Sequence, residues 1–225
     1  ELVQIWRHVT GKVVKDGHDY FLKMASSIHV SPRTENEAAW NEFINDASGA
    51  HRLPMAVPAV FETGKEDELF WYTGDFIDGK LLARADKPDE TADLEANLPR
   101  IAETASRVMA LQVDTPLPLD VASEGKTPER DIVDRVEKYS EPVQQDLSVL
   151  KTFIQERLGA AKYAPHHGDF VPWGMMQTAG GKIFLIDGES ARIKGLKFYD
   201  VTYFYHRVYT KMHRPDIAQQ FLYRI

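Results

Sequence analysis

Asp169 and Asp187 stand eighteen residues apart, Asp169 closing the polar run His166-His167-Gly168-Asp169 and Asp187 ending the apolar run KIFLID. Between them, MMQT and KIFLID flank Ala179-Gly180-Gly181, which predicts a short hairpin. A hairpin can bring residues at its two outer ends to one spot. A converging carboxylate pair suits phosphoryl transfer: one carboxylate positions and deprotonates the attacking group, and the other holds the magnesium that neutralises the phosphates. The same chemistry needs a cation against the phosphates. Lys23, in the run FLK, is the candidate, with a glutamate on the following helix as its partner.

The elements that must position these groups fall into two parts. From Trp6 to Ala25, β-branched and aromatic runs surround Asp16-Gly17, a strong hairpin signal. Residues 34–47 place Ala38, Trp40, Phe43 and Ile44 at near-helical spacing, so a helix follows. Pro54 and Pro58 lead into two further strands separated by the turn GKED, the second running through ELFWYTGDFID to Gly79. After Gly79 the periodicity is helical over 91–112, 128–139 and 141–159, broken by TPLPLD and Gly125, and later over FYDVTYFYHRVYTKM. The expectation is an α+β chain of two lobes, a small β-rich one with one helix at 1–80 and a larger, mostly helical one at 81–225, with the boundary near 78–83.

The ordered set His167-Gly168-Asp169, Pro172-Trp173 and Leu185-Ile186-Asp187 resembles the HGD-x-x-x-x-N signature and following I-D strand of the aminoglycoside phosphotransferases, choline kinases and related small-molecule kinases. The FLK strand, a helix bearing Glu37, the connection DFIDGKLL and FYDVTYF extend the resemblance over almost the whole chain. It implies a bilobal protein-kinase-like fold and an ATP- or GTP-dependent phosphotransferase. By resemblance Asp169 is the catalytic base that orients the acceptor, Asp187 binds Mg2+, and Lys23 contacts the α and β phosphates. Glu37 holds the Lys23 ammonium, with Glu35 as the alternative in helix register. Asp75, Phe76 and Ile77 resemble the connection that reads the base through main-chain atoms. Asp200 resembles a buried helix aspartate that braces the catalytic loop, a task His167 shares, while His166 is an adjacent polar residue. Taken alone, Lys23 and Glu37 read as an ordinary surface pair; their order ahead of the HGD run favours the ion pair. Trp173 reads as packing rather than as a wall of the acceptor site. Glu189 has two readings, approach to the metal or acceptor and a salt bridge to Arg192 or Lys194.

Two departures stand out. Gly174 occupies the position of the signature's asparagine, so no side chain is present there to ligate a metal. A working enzyme with altered metal ligation ranks first, a nucleotide-binding or regulatory domain of pseudokinase type second, and an introduced substitution third. The phosphate-covering loop, in turn, finds only His8-Val9-Thr10-Gly11, a poor glycine loop.

Composition bounds the remaining choices. A net charge of -7 argues against a nucleic-acid binder. Residues 86–157 hold sixteen acids and nine bases, the whole excess; solvated helix faces explain this first, and attraction of a cationic acceptor such as an aminoglycoside or amino alcohol second. The absence of cysteine excludes disulfides and thiolate metal sites and fits a cytoplasmic setting. No run reaches the roughly eighteen apolar residues of a membrane span. The chain starts on Glu1 and stops within AQQFLYRI, so the native protein is expected to extend beyond these ends. A protein kinase is disfavoured by the short stretch after Asp187, which leaves little room for a peptide-docking segment.

Overall fold

The computed structural model describes residues 2–47, 52–112, 115–121, 130, 133–134, 136–138 and 146–225. Strands β1 (Leu2–Ile5), β2 (His8–Lys15), β3 (His18–Ala25), β4 (Val60–Glu66) and β5 (Leu69–Asp75) form one antiparallel sheet in the order β1-β2-β3-β5-β4. Asp16 and Gly17 both adopt positive φ, 53° and 78°, the backbone a tight two-residue hairpin needs to match strand twist.

The β4–β5 turn differs from the expectation. It is made by Asp67 and Glu68, at φ 46° and 67°, and not by GKED. Gly64 lies within β4 opposite Trp71, and a Cβ there would sit 2.6 Å from the Trp71 indole. The glycine that signals a turn in the sequence instead makes room for an aromatic ring across the strand pair.

Helix α1 (Ser31–Asp46) begins three residues before the predicted start, with a proline in its first turn, where the missing N–H costs nothing. The chain leaves β5 through Phe76, Ile77 and Asp78 and enters β6 (Gly79–Leu81). That strand pairs with β8 (Met175–Thr178), which pairs in turn with β9 (Ile183–Leu185). Residues 179–182 join β8 to β9 as a hairpin. Helices α2 (Ala92–Val108) and α3 (Pro118–Val121) follow β6, and α4 (Ser148–Leu158) precedes β7 (Tyr163–His166). Strand β10 (Arg192–Leu196) pairs with β7, and α5 (Tyr199–Lys211) and α6 (Pro215–Leu222) complete the chain.

Helix α2 ends at Val108, four residues short of the predicted end, and TPLPLD runs into α3. The predicted helix over 128–139 lies largely outside the described residues, as do Gly125 and the start of 141–159, whose remainder forms α4.

Helix α2 buries Leu94, Leu98, Ile101, Ala102, Ala105 and Val108, a stripe of helical period that seats it on the core. One continuous apolar cluster joins these residues to Trp40 and Ile44 of α1, Met55 and Val57 before β4, Phe170, Met175 and Leu185 in and near the loop after β7, and Phe204 and Phe221 of the last two helices. Each Val, Leu, Ile, Met or Phe side chain of this cluster contributes about 1.5–3 kcal/mol on full burial. Ala56 ties the segment before β4 to β9, accepting from Leu185 N–H at 2.8 Å and donating to Ile183 O at 2.9 Å. Among the described residues no helix is long and apolar enough to cross a membrane.

Candidate active site

The loop carrying Asp169 begins where β7 ends. Gly168 has φ +87°, and a Cβ on it would lie 2.2 Å from the Ser190 carbonyl oxygen, so only glycine fits. The first turn of α5 carries Asp200, fully buried, whose two carboxylate oxygens accept the N–H groups of His167 at 2.7 Å and Gly168 at 2.9 Å. Burial pushes the Asp200 carboxyl up to about 6, against the pull of those two donors. His167 is buried and held down to about 4 by desolvation. It is therefore neutral, and its Nδ1 accepts the Asp169 N–H at 3.4 Å. Both residues brace the loop.

Asp169 faces out of this braced turn. Burial and the neighbouring Asp187 charge push its carboxyl up to about 6, while a hydrogen bond from Tyr203 and the Arg207 charge oppose the rise. Tyr203 and Arg207 were not singled out in the sequence. The available signal was spacing, since they lie three and seven residues after Asp200 and so share its helix face.

Lys23 of β3 is the second centre. Its ammonium donates to Glu37 Oε2 at 2.5 Å and to Asp187 Oδ1 at 2.7 Å. Desolvation works against the charge, but the two carboxylates outweigh it and raise the Lys23 pKa. For Asp187 the burial penalty is likewise outweighed, chiefly by Lys23, and its carboxyl is held below the usual range. Glu37 is raised by burial, with Lys23 and the Tyr72 hydroxyl opposing. Glu37, not Glu35, meets the lysine; Glu35 lies near Lys65, at 3.5 Å.

Two contacts set α1 against the stretch after Asp187. A Cβ on Gly188 would stand 2.5 Å from Trp40, so the backbone there lies directly on the indole. Asn36, fully buried, donates to the carbonyls of Glu189 at 3.4 Å and Ala191 at 3.1 Å. These contacts bring the Glu37 turn of α1 to Asp187, whose own φ is +72°.

Glu189 takes neither of the salt bridges considered for it. It turns toward the β-sheet, 3.6 Å from Arg7, 3.7 Å from Arg33 and 3.4 Å from His8 Nε2. Arg192 instead donates to the Leu119 carbonyl, and Lys194 is exposed on β10. Carboxylate oxygens of Glu37, Asp187 and Glu189 lie within 4.8 Å of one another. This all-oxygen donor set is of the type that suits a hard divalent cation such as Mg2+.

Gly174 needs no special backbone. A Cβ there would meet Val171 at 3.4 Å and the Asp169 and Ile186 carbonyls at 3.5 Å, ordinary contact. Its N–H donates to the Val171 carbonyl within the loop, and its carbonyl accepts the Ile186 N–H just before Asp187, both at 2.9 Å. Trp173 packs partly buried against the main core. The expected loop at His8–Gly11 is strand, since these residues lie inside β2; the β1–β2 turn is Trp6-Arg7, with Trp6 91% exposed. A two-residue turn without glycine offers few amides to a phosphate.

At the end of β5, the Asp75 carboxylate accepts the Ala59 N–H at 2.9 Å while its own N–H donates to the Ala59 carbonyl at 3.1 Å. Phe76 is exposed beneath the Lys12 ammonium, 4.9 Å from the ring centroid, and Ile77 is half-buried.

A family model described as "Phosphotransferase enzyme family" matches residues 6–222. Among solved structures, aminoglycoside phosphotransferase APH(4)-Ia is similar over 100% of this chain and 77% of its own, at 18% identity and TM-score 0.67. The ethanolamine kinase of Plasmodium vivax is similar over 100% and 65%, at 14% identity and TM-score 0.64. The choline kinase LicA of Streptococcus pneumoniae is similar over 100% and 74%, at 11% identity and TM-score 0.57. At these identities the likeness is one of fold, which is protein-kinase-like. A sequence search of curated proteins gave no match.

Proposed function

The chain belongs to the phosphotransferase enzyme family and is a small-molecule phosphotransferase, and from that premise we propose that it transfers the γ-phosphoryl group of ATP or GTP to a hydroxyl of a small, amine-bearing acceptor. The observation that carries this reading is the convergence of Lys23, Glu37 and Asp187 beside a loop strapped by Asp200 that presents Asp169. The use of nucleotide is supported by APH(4)-Ia, a variant of which was crystallised as a ternary complex with ADP and hygromycin B.

In this reading residues 1–80 hold the nucleotide and 81–225 hold the acceptor, with main-chain atoms of Asp75, Phe76 and Ile77 reading the base. An ammonium has three donors, and Lys23 gives two to Glu37 and Asp187. The third serves a phosphate oxygen. Asp187, kept ionised by Lys23, would hold magnesium together with Glu189, and the ion would supply neutralisation of phosphate charge. Asp169 accepts the acceptor's hydroxyl proton as the new O–P bond forms and the bond from the γ-phosphorus to its bridging oxygen breaks, releasing nucleoside diphosphate. Phosphotransfer needs no covalent enzyme intermediate here. An amine-bearing acceptor suits the acidic excess of residues 86–157.

The test is turnover with aminoglycosides, choline, sugars and homoserine, each with ATP and GTP and with Mg2+ or Mn2+, followed by phosphorus NMR. One phosphorylated product that disappears in Asp169→Asn and Asp187→Asn is the expected result. No product in any combination overturns it. Gly174 motivates the second reading, a domain that binds nucleotide without transfer. A large gain of turnover in Gly174→Asn would favour that reading, whereas no gain supports a site built around glycine.

A further inference from the structure

The turn between β1 and β2 has no glycine, yet its place is fixed. The Arg7 carbonyl accepts both the N–H of Ser26, at 3.1 Å, and the Ser26 hydroxyl, at 2.7 Å, so the end of β3 sets where the Arg7 side chain starts. From there its guanidinium reaches Glu189 Oε1 at 3.6 Å. Arg33, in the first turn of α1, reaches the same oxygen at 3.7 Å. Both separations exceed a hydrogen bond. Charge draws the arginines to this carboxylate, and neither gives it a hydrogen bond.

A guanidinium carries five N–H donors. Arg33 commits one to Ser190 Oγ, at 3.1 Å, and Arg7 makes no side-chain hydrogen bond among the described residues. The two side chains are 48% and 40% exposed, against 11% for Glu189. The carboxylate is thus enclosed while the donors around it stay open to solvent. His8, next in the chain, adds a buried Nε2 that has no hydrogen-bond partner although it stands 3.4 Å from Glu189. Polar groups are gathered here without being satisfied by one another.

Two guanidinium groups on one oxygen repel each other, and a single carboxylate neutralises only one of them. A second anion suits such a pair, and phosphate matches the guanidinium fork. The location also suits it. Oxygens of Glu189, Glu37 and Asp187 lie within 4.8 Å of one another, and the latter two residues hold the Lys23 ammonium.

We propose that Arg7 and Arg33 form a side-chain clamp on the terminal phosphates of the nucleotide, in place of the main-chain amides that this turn lacks. The proposal rests on the reading of the Lys23 site as a nucleotide site. Arginines that served only to neutralise Glu189 would not distinguish nucleotides by their number of phosphates.

Isothermal titration calorimetry with ATP and AMP, and with GTP and GMP, in the presence of Mg2+ tests the clamp without any acceptor. Arg7→Gln and Arg33→Gln should each weaken triphosphate binding about tenfold, as loss of a charge-assisted hydrogen bond predicts, and leave monophosphate binding within about twofold. Arg7→Lys and Arg33→Lys, which keep the charge but not the fork, should lose less, and they carry the comparison where a glutamine variant does not fold. A variant of either residue with the wild-type melting temperature and the wild-type triphosphate affinity overturns the clamp and leaves the nucleotide reading intact. An equal loss for triphosphate and monophosphate also overturns it, since that marks a structural role. Absence of nucleotide binding by the wild type instead overturns the nucleotide reading on which the clamp rests.

Discussion

At the residue scale, Asp169 and Asp200 are both carboxyls pushed up to about 6 by burial, from an ordinary value near 3.8. A raised acid binds more protons folded than unfolded between those two values, so stability falls as pH rises from about 4 to 6. Thermal unfolding across that interval should show the melting temperature decreasing. Replacing Asp169 by Asn removes one buried charge above pH 6 without changing shape. We expect that variant to melt a few degrees higher at pH 7.5, since about 1 kcal/mol moves Tm by roughly 2–4 °C in a chain of this size, and to lose turnover. The acid limb of the wild-type rate profile should fall near pH 6, where Asp169 becomes protonated. Asp200 behaves differently on deletion. Asp200→Ala leaves two buried loop N–H groups unpaired at about 1–3 kcal/mol each, so it should lower the melting temperature and activity together.

At the element scale, two glycines of the catalytic loop make opposite forecasts. Gly168→Ala forces a side chain onto the Ser190 carbonyl in left-handed backbone and should leave little folded, active protein. Gly174→Ala adds a methyl in ordinary contact and should keep its melting temperature within a few degrees of wild type, readable by calorimetry. Both residues appear in the sequence as the same letter six apart. The hairpin at Asp16-Gly17 was legible because its residue pair is a common one for that turn, whereas Asp67-Glu68 was not, since glutamate rarely adopts left-handed backbone and Gly64 carries the stronger turn signal. The helix bearing Tyr203 and Arg207 was legible as a helix. Its active-site face was not, because Asp200 meets the N–H groups of His167 and Gly168 only once α5 lies against that loop.

At the scale of the whole molecule, the acidic excess in residues 86–157 should draw a cationic acceptor through solvent-exposed charges. The KM for an aminoglycoside acceptor should then rise between 0.05 and 0.3 M salt, as screening shortens the reach of those charges, with the KM for ATP changing less. A salt-independent acceptor KM would assign the acidity to solvated helix faces alone. The sequence by itself determined the ordered polar motifs, the α+β class and the resemblance to small-molecule kinases, because these rest on local spacing and on periodicities of two and 3.6 residues. Only the tertiary structure decided between Glu37 and Glu35, gave Glu189 to Arg7, His8 and Arg33, and set the Asp200 carboxylate under the His167 and Gly168 N–H groups. Lys23 and Asp187 lie 164 residues apart, and what brings them together is the packing of Trp40 on Gly188 and the hydrogen bonds of Asn36 to the carbonyls of Glu189 and Ala191. Those contacts depend on which faces of α1 and of the catalytic loop meet in one core, and chain spacing does not encode that.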